Sequence, residues 1–199
     1  MTTITSLFSR LILALALTSA TGAAMAAPVS YHVTLDTSAF SGNGYLDLSF
    51  GGIDTQAGPA TAVVSNVTGA VTGTSDVIGV VNGDLTGTAS FNNAQYGDLA
   101  QLVQFGGMFG FDVLFDFADM GTGSSFAIGL LDTAFGSILG TSFAAQINVT
   151  PGEGTAFATF TPFATVALND AAAVPEPGQW LLMATGLLLL GAMARRRTM

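Results

Sequence analysis

The chain has no cysteine and no lysine, one histidine (His32), one tryptophan (Trp180) and four arginines among 199 residues. Each absence removes a class of chemistry. Without cysteine there is no thiol nucleophile, no thiolate zinc site and no disulfide framework. Arg10 lies near the start and Arg195, Arg196 and Arg197 near the end, so no fixed positive charge stands between Leu11 and Ala194. Nucleic-acid binding needs clustered Lys or Arg against phosphate and is excluded on that ground. Lysine Schiff-base chemistry, arginine phosphate clamps and P-loops go with it. One histidine is also too few for a zinc or iron site built on several imidazoles.

What remains is half apolar, with 25 glycines, 15 phenylalanines, 13 acids and a net charge of −9. That balance is too hydrophobic for a disordered tail and too poor in charge for an ordinary cytosolic enzyme.

The two ends read as addresses. Residues 1–27 have a short n-region ending at Arg10, an apolar core Leu11–Leu17, and a small-residue stretch with Ala24-Met25-Ala26 as an A-x-A cleavage site. This is the pattern of a secretory signal peptide, cut after Ala26 or Ala27. Seven strongly apolar residues are too few for a transmembrane helix. At the other end, Val174-Pro175-Glu176-Pro177 is a stiff, non-helical tetrad. It is followed by an uncharged apolar segment, Trp180–Ala194, and then by Arg195-Arg196-Arg197 as a basic stop. As a helix that segment spans roughly 22 Å, short of a hydrocarbon core of about 30 Å. It inserts as a marginal anchor, and a plain type I anchor is the alternative.

The tetrad, helix, arginine cluster and signal peptide together resemble the PEP-CTERM sorting system of Gram-negative bacteria. The resemblance implies Sec export, then recognition of Pro175-Glu176-Pro177 by a membrane-embedded exosortase, which removes the hydrophobic tail. The tail would cross the inner membrane only as a precursor, and the product would pass to the cell surface or an extracellular matrix. This resemblance covers only residues 174–199. The segments Tyr31–Thr37, Gly44–Phe50, Phe111-Asp112-Val113 and Gly123–Ala127 are similar to one group of PEP-CTERM ectodomains. That likeness implies a secreted all-β module and carries over no catalytic residue.

Residues 28–173 are long enough for one core. Apolar side chains alternate in Ser30–Asp36 (Tyr31, Val33, Leu35), Gly110–Phe117 (Phe111, Val113, Phe115, Phe117), Phe126–Leu130 and Phe143–Thr150. Period-two alternation predicts half-buried strands with one polar face. Gly42-Asn43-Gly44, Asn82-Gly83-Asp84, Gly121–Ser124 and Pro151–Gly154 supply turns between them. The expected fold is all-β, an antiparallel, jelly-roll-like β-sandwich flanked by an N-terminal signal helix and a C-terminal hydrophobic helix. Gln95–Phe105 fits a helical stripe through Leu99, Leu102 and Val103, or equally a loop entering a strand.

Candidate chemistry in this middle region is sparse. His32 sits on a polar strand face with Thr34 and Asp36, and nothing in the sequence places a nucleophile beside it. Asp112 and Asp116 are roughly 13 Å apart along one strand, too far for a glycosidase pair. A cross-strand pair such as Asp47 with Asp112 stays open. Calcium is the most credible metal, with Asp84, Asp116 and Asp119 as weak candidate ligands beside the alternative of plain turns. Phe157, Phe160 and Phe163 read as core side chains plus a strand bulge, and the Asn66 and Asn148 sequons as chance in a Thr-rich strand protein.

The expected function is therefore non-enzymatic: a displayed module, with no obligatory cofactor, associated with exopolysaccharide in a biofilm or surface layer. Twelve of the 13 acids lie in residues 28–173. They would keep the module soluble and recruit divalent cations that bridge anionic polymers. The alternatives are a lectin-like glycan-binding module, with or without calcium, and a carboxylate-dependent carbohydrate-active enzyme with clustered acids and one raised pKa.

Overall fold

The computed structural model describes residues 28–169 and, in the C-terminal segment, Gly186 alone. The expected signal segment 1–27 and, Gly186 apart, the expected helix over Trp180–Ala194 lie outside the described residues. No helix among the described residues is long and apolar enough to cross a membrane.

The described chain is built from strands: β1 (Val29–Asp36), β2 (Asn43–Gly52), β3 (Ala60–Thr68), β4 (Val71–Gly79), β5 (Val81–Asn82), β6 (Ala89–Asn92), β7 (Gly97–Gln104), β8 (Met108–Phe117), β9 (Ser124–Leu131), β10 (Ala145–Thr150), β11 (Gly154–Thr159) and β12 (Ala164–Leu168). They form two six-stranded sheets, ordered β12-β1-β8-β3-β6-β5 (sheet A) and β11-β10-β9-β2-β7-β4 (sheet B). Strand pairing within both sheets is antiparallel. The pairs β1·β8 and β3·β6 lie in sheet A while β2·β7 lies in sheet B. This alternation is how a long antiparallel ribbon wraps over a sandwich, the jelly-roll arrangement. Strands β9–β12 extend both sheets on one side.

Alternation in sequence becomes burial in the sandwich. Val33 and Leu35 of β1, Phe111, Val113 and Phe115 of β8, and Ala62 and Val64 of β3 are fully buried from sheet A. Leu46 and Leu48 of β2, Leu99 and Val103 of β7, and Phe126, Ile128 and Leu130 of β9 meet them from sheet B. Three phenylalanine rings join the layers at the centre: Phe115 of sheet A lies 5.8 Å from Phe126 and 6.2 Å from Phe50. Burying one such side chain contributes about 1.5–3 kcal/mol.

The Gln95–Phe105 segment is strand β7, not helix. Leu99 and Val103 point into the core, whereas Leu102 lies between the buried rows and is only half-buried. The ladders to β2 and β4 on either side satisfy its backbone. Tertiary pairing thus overrides a helical spacing that three residues happen to meet. Phe143 precedes β10 as a half-buried loop residue. The three-residue phenylalanine series also differs from expectation. Phe157 and Phe160 are both 49% exposed. Phe157 packs edge-on against Tyr31, and Phe163 against Phe40.

Candidate functional site

The outward faces of the two sheets carry different polar clusters. On sheet A, β1, β8 and β3 lie side by side, so His32, Asp112 and Ser65 fall in one row. The β3 register then shifts at a bulge before Thr68. Within that bulge Asn66 takes a left-handed φ of 54°, which swings its amide over β8. Asn tolerates this conformation better than most residues.

Three donors converge on Asp112 from three parts of the chain. His32 Nδ1 lies 2.7 Å from Oδ1, the Asn66 amide donates to Oδ2 at 2.7 Å, and the Asn169 amide donates to Oδ1 at 3.2 Å. These bonds, Asn66 first and His32 second, hold the Asp112 carboxyl below the usual aspartate range. The same Asn169 amide bonds Ser30 Oγ at 3.0 Å, and its backbone N–H donates to the Ser30 carbonyl. Asn169, just past β12, is thus tied to the first strand. Gly110 leaves the space between His32 and Thr68 open: a Cβ there would meet Thr68 Oγ1 at 2.9 Å and His32 Nε2 at 3.5 Å. The Thr68 hydroxyl donates to the Gly110 carbonyl at 3.2 Å. The Asn66 sequon amide is itself spent on Asp112.

On sheet B the structure decides the cross-strand pairing left open for Asp47. Asp47 does not meet Asp112, which belongs to the other sheet. It meets Asp98, because β2 pairs β7 with Asp47 opposite Ala100 and Ser49 opposite Asp98. A hydrogen bond joins the two carboxyl groups. Burial first, then the Asp98 charge and that bond, push Asp47 up to about 7. Asp47 faces small neighbours: Gly129 lies opposite on β9, and a Cβ there would sit 3.2 Å from Asp47 Oδ2.

Aromatic rings flank this pair at both ends of the face. Tyr45, two residues before Asp47, stacks on Phe135 with centroids 4.6 Å apart and planes 14° from parallel. Phe135 is half-exposed and has a φ of 62°, rare for a bulky residue. At the other end the Tyr96 hydroxyl donates to Asp98 Oδ2 at 2.8 Å, and its ring lies against Gly51. The floor between is Ser49, Ala100, Ala127 and Gly129, all buried. The arrangement can hold one proton between two carboxyls near neutral pH.

The weak metal candidates are not brought together. Asp84 caps its own turn, accepting from the Thr86 N–H at 2.8 Å and from the Thr86 hydroxyl, bonds that lower its pKa. Asp116 lines a cavity of about 190 Å³ with Pro59, Thr61 and Asn92, and Asp119 is exposed beyond the end of β8. A neighbouring cavity of about 360 Å³ is bordered by Asp54, whose carboxylate accepts from Thr122 and from the Gln56 N–H. Among the described residues no three His, Cys, Asp or Glu side chains converge as a metal site.

Sequence reasoning placed Asp47 and Asp112 among its candidates and missed Asp98, Tyr96, Asn66, Asn169 and Phe135 as their partners. The alternation Tyr45-x-Asp47-x-Ser49 was the available signal for the sheet B face. The processing residues Ala24, Ala26, Ala27, Pro175, Glu176, Pro177, Arg195, Arg196 and Arg197 lie outside the described residues.

Comparison with known proteins bears on that C-terminal segment. No curated protein and no solved structure matches the chain significantly. Residues 173–197 match the family described as the PEP-CTERM protein-sorting motif. The motif implies export, recognition by exosortase and sorting to the cell surface. The chain therefore carries, at its C-terminal end, a PEP-CTERM protein-sorting motif.

Proposed function

We propose that the chain is an exosortase-processed surface or matrix protein whose β-sandwich acts without catalysis, through association with exopolysaccharide. The observation that carries the reading is the motif at residues 173–197, behind a sandwich with polar faces. In this reading the signal segment 1–27 directs Sec export and cleavage near Ala26 or Ala27. The apolar segment Trp180–Ala194 holds the precursor in the inner membrane while the Pro175-Glu176-Pro177 site is processed. One feature of the sandwich supports a binding rather than a catalytic role: the His32 imidazole is engaged by Asp112, and the Thr68 hydroxyl donates to the Gly110 carbonyl.

Intact mass and terminal peptides of the protein recovered from its host test this directly. The expected product begins near Ala27 or Pro28 and lacks Trp180–Met199. A chain still ending at Met199 in the membrane fraction contradicts the processing step and points to a simple type I anchor. Fractionation of the same cells tests the destination, with the processed product expected in the polysaccharide-rich extracellular fraction.

A further inference from the structure

We infer that the outward face of sheet B, between the Tyr45–Phe135 stack and Tyr96, is a binding groove for an uncharged polysaccharide chain. The inference deepens the association with exopolysaccharide proposed above and rests on it. Three observations carry it.

The first is the pair of aromatic walls. Tyr45 and Gly51 lie six residues apart on β2, about 20 Å at the rise of an extended strand. Phe135 is 51% exposed and Tyr96 55% exposed, each beside the outer rows of the same sheet. Flat rings fixed at the two ends of a strand face suit the apolar faces of sugar rings, and the Tyr hydroxyl suits their wet edges. Phe135 keeps its place at the cost of a left-handed backbone, on a turn that Asp132 braces by accepting the N–H groups of Ala134 and Gly136 at 2.8 Å each.

The second is the floor. Ser49, Ala100, Ala127 and Gly129 present no long side chain, and the Ser142 carbonyl, 3.6 Å from where a Cβ of Gly129 would stand, borders them at β9. The third is the polar element between the walls. A carboxyl pair sharing a proton offers both a donor and an acceptor to sugar hydroxyls, and Gln146 and Ser125 continue the polar edge.

Charge selects the ligand class. No Lys or Arg lies anywhere between Leu11 and Ala194, and Asp76 and Asp98 both border the groove. An anionic polymer meets repulsion with no cation to offset it, whereas a neutral one does not.

The test is native affinity electrophoresis of the full chain in detergent micelles. The gels contain hydroxyethyl cellulose, dextran, or alginate with and without calcium. Retardation by at least one of the two neutral polymers and not by alginate is the expected result. Phe135→Gly relieves the strained backbone while removing a wall, so its fold is safe, and Tyr96→Ala removes the other wall. Each is expected to weaken binding by about tenfold, while Phe160→Ala, an exposed aromatic outside the groove, leaves it unchanged. Failure of both neutral polymers to retard the chain overturns the inference. So does binding that survives the two wall variants, and so does retardation by alginate with calcium alone, which indicates cation bridging instead. The terminal-peptide measurement fails or succeeds independently, so a processed protein that ignores neutral glycans refutes the groove and leaves the sorting reading standing.

Discussion

The outer faces of sheets A and B solve the same problem, a carboxylate on a strand, in opposite ways. On sheet A, Asp112 is surrounded by donors from β1, the β3 bulge and the end of β12, and its charge is stabilised. On sheet B, Asp47 is pressed against a second carboxyl and partly desolvated, and its charge is resisted. The first arrangement ties Asn169, just past β12, to Ser30 and Asp112. The second leaves unspent hydrogen-bonding capacity between two aromatic rings. A satisfied network is what architecture requires; an unsatisfied one is the more informative place to look for a ligand.

That contrast makes graded expectations. The largest effect comes from removing what both faces stand on. Phe115→Ala empties the centre where Tyr31, Phe50 and Phe126 meet. It is expected to cost about 3–5 kcal/mol in chemical denaturation. Next, Asp112→Ala strips the sheet A face of its acceptor and leaves the His32 and Asn66 donors without a protein partner, while Asn169 keeps Ser30. A loss of about 0.5–1.5 kcal/mol is expected, with faster amide exchange at Ser30 and Asn169. An unchanged midpoint would show that the network is ornamental.

The two faces also respond to pH with opposite sign. Asp112 has a folded-state pKa below its ordinary value, so its contribution is present at neutral pH and is lost as pH falls through the lowered pKa. Asp47 is raised to about 7, so its contribution is full below its ordinary value near 3.8 and is lost as pH rises through about 7. Asp47→Asn is therefore expected to leave the melting temperature unchanged at pH 4 and to raise it by about 3 °C or more at pH 8. Equal effects at both pH values would contradict the shared-proton pair. The smallest expected change is Asn66→Gly, where relief of the left-handed backbone offsets a lost amide donor. Its net effect should stay within about 1 kcal/mol.

The strands with strong alternation were legible because their buried face is written locally. Tyr31, Val33 and Leu35, or Phe111, Val113 and Phe115, announce an inward row without reference to any partner. Strand β4 was not legible: Val71–Gly79 is an edge strand, mostly exposed, with Val77 and Ile78 both facing solvent. Its place is fixed by β7 rather than by its own pattern. Gln95–Phe105 was ambiguous for the same reason, since the ladders on its two sides decide its conformation. The linear sorting motif could be read directly, because such a signal is defined by order along the chain. The Asp47–Asp98 pair could not, because the register of β2 against β7 sets it across 51 positions. Asn66 was hidden by a bulge, which no spacing rule anticipates.

The contrast between the two carboxylates is tested most directly by a carboxyl-carbon NMR titration of the full chain in detergent micelles from pH 2 to 9. The account predicts that the Asp47 signal moves with a midpoint near 7, while Asp112 titrates below the ordinary aspartate value. The Asp47 midpoint is expected to fall in Asp98→Asn by the part that Asp98 adds to burial. Coincident midpoints near 4 for both residues would contradict it, and the distinction between a satisfied face and a poised one would go with them.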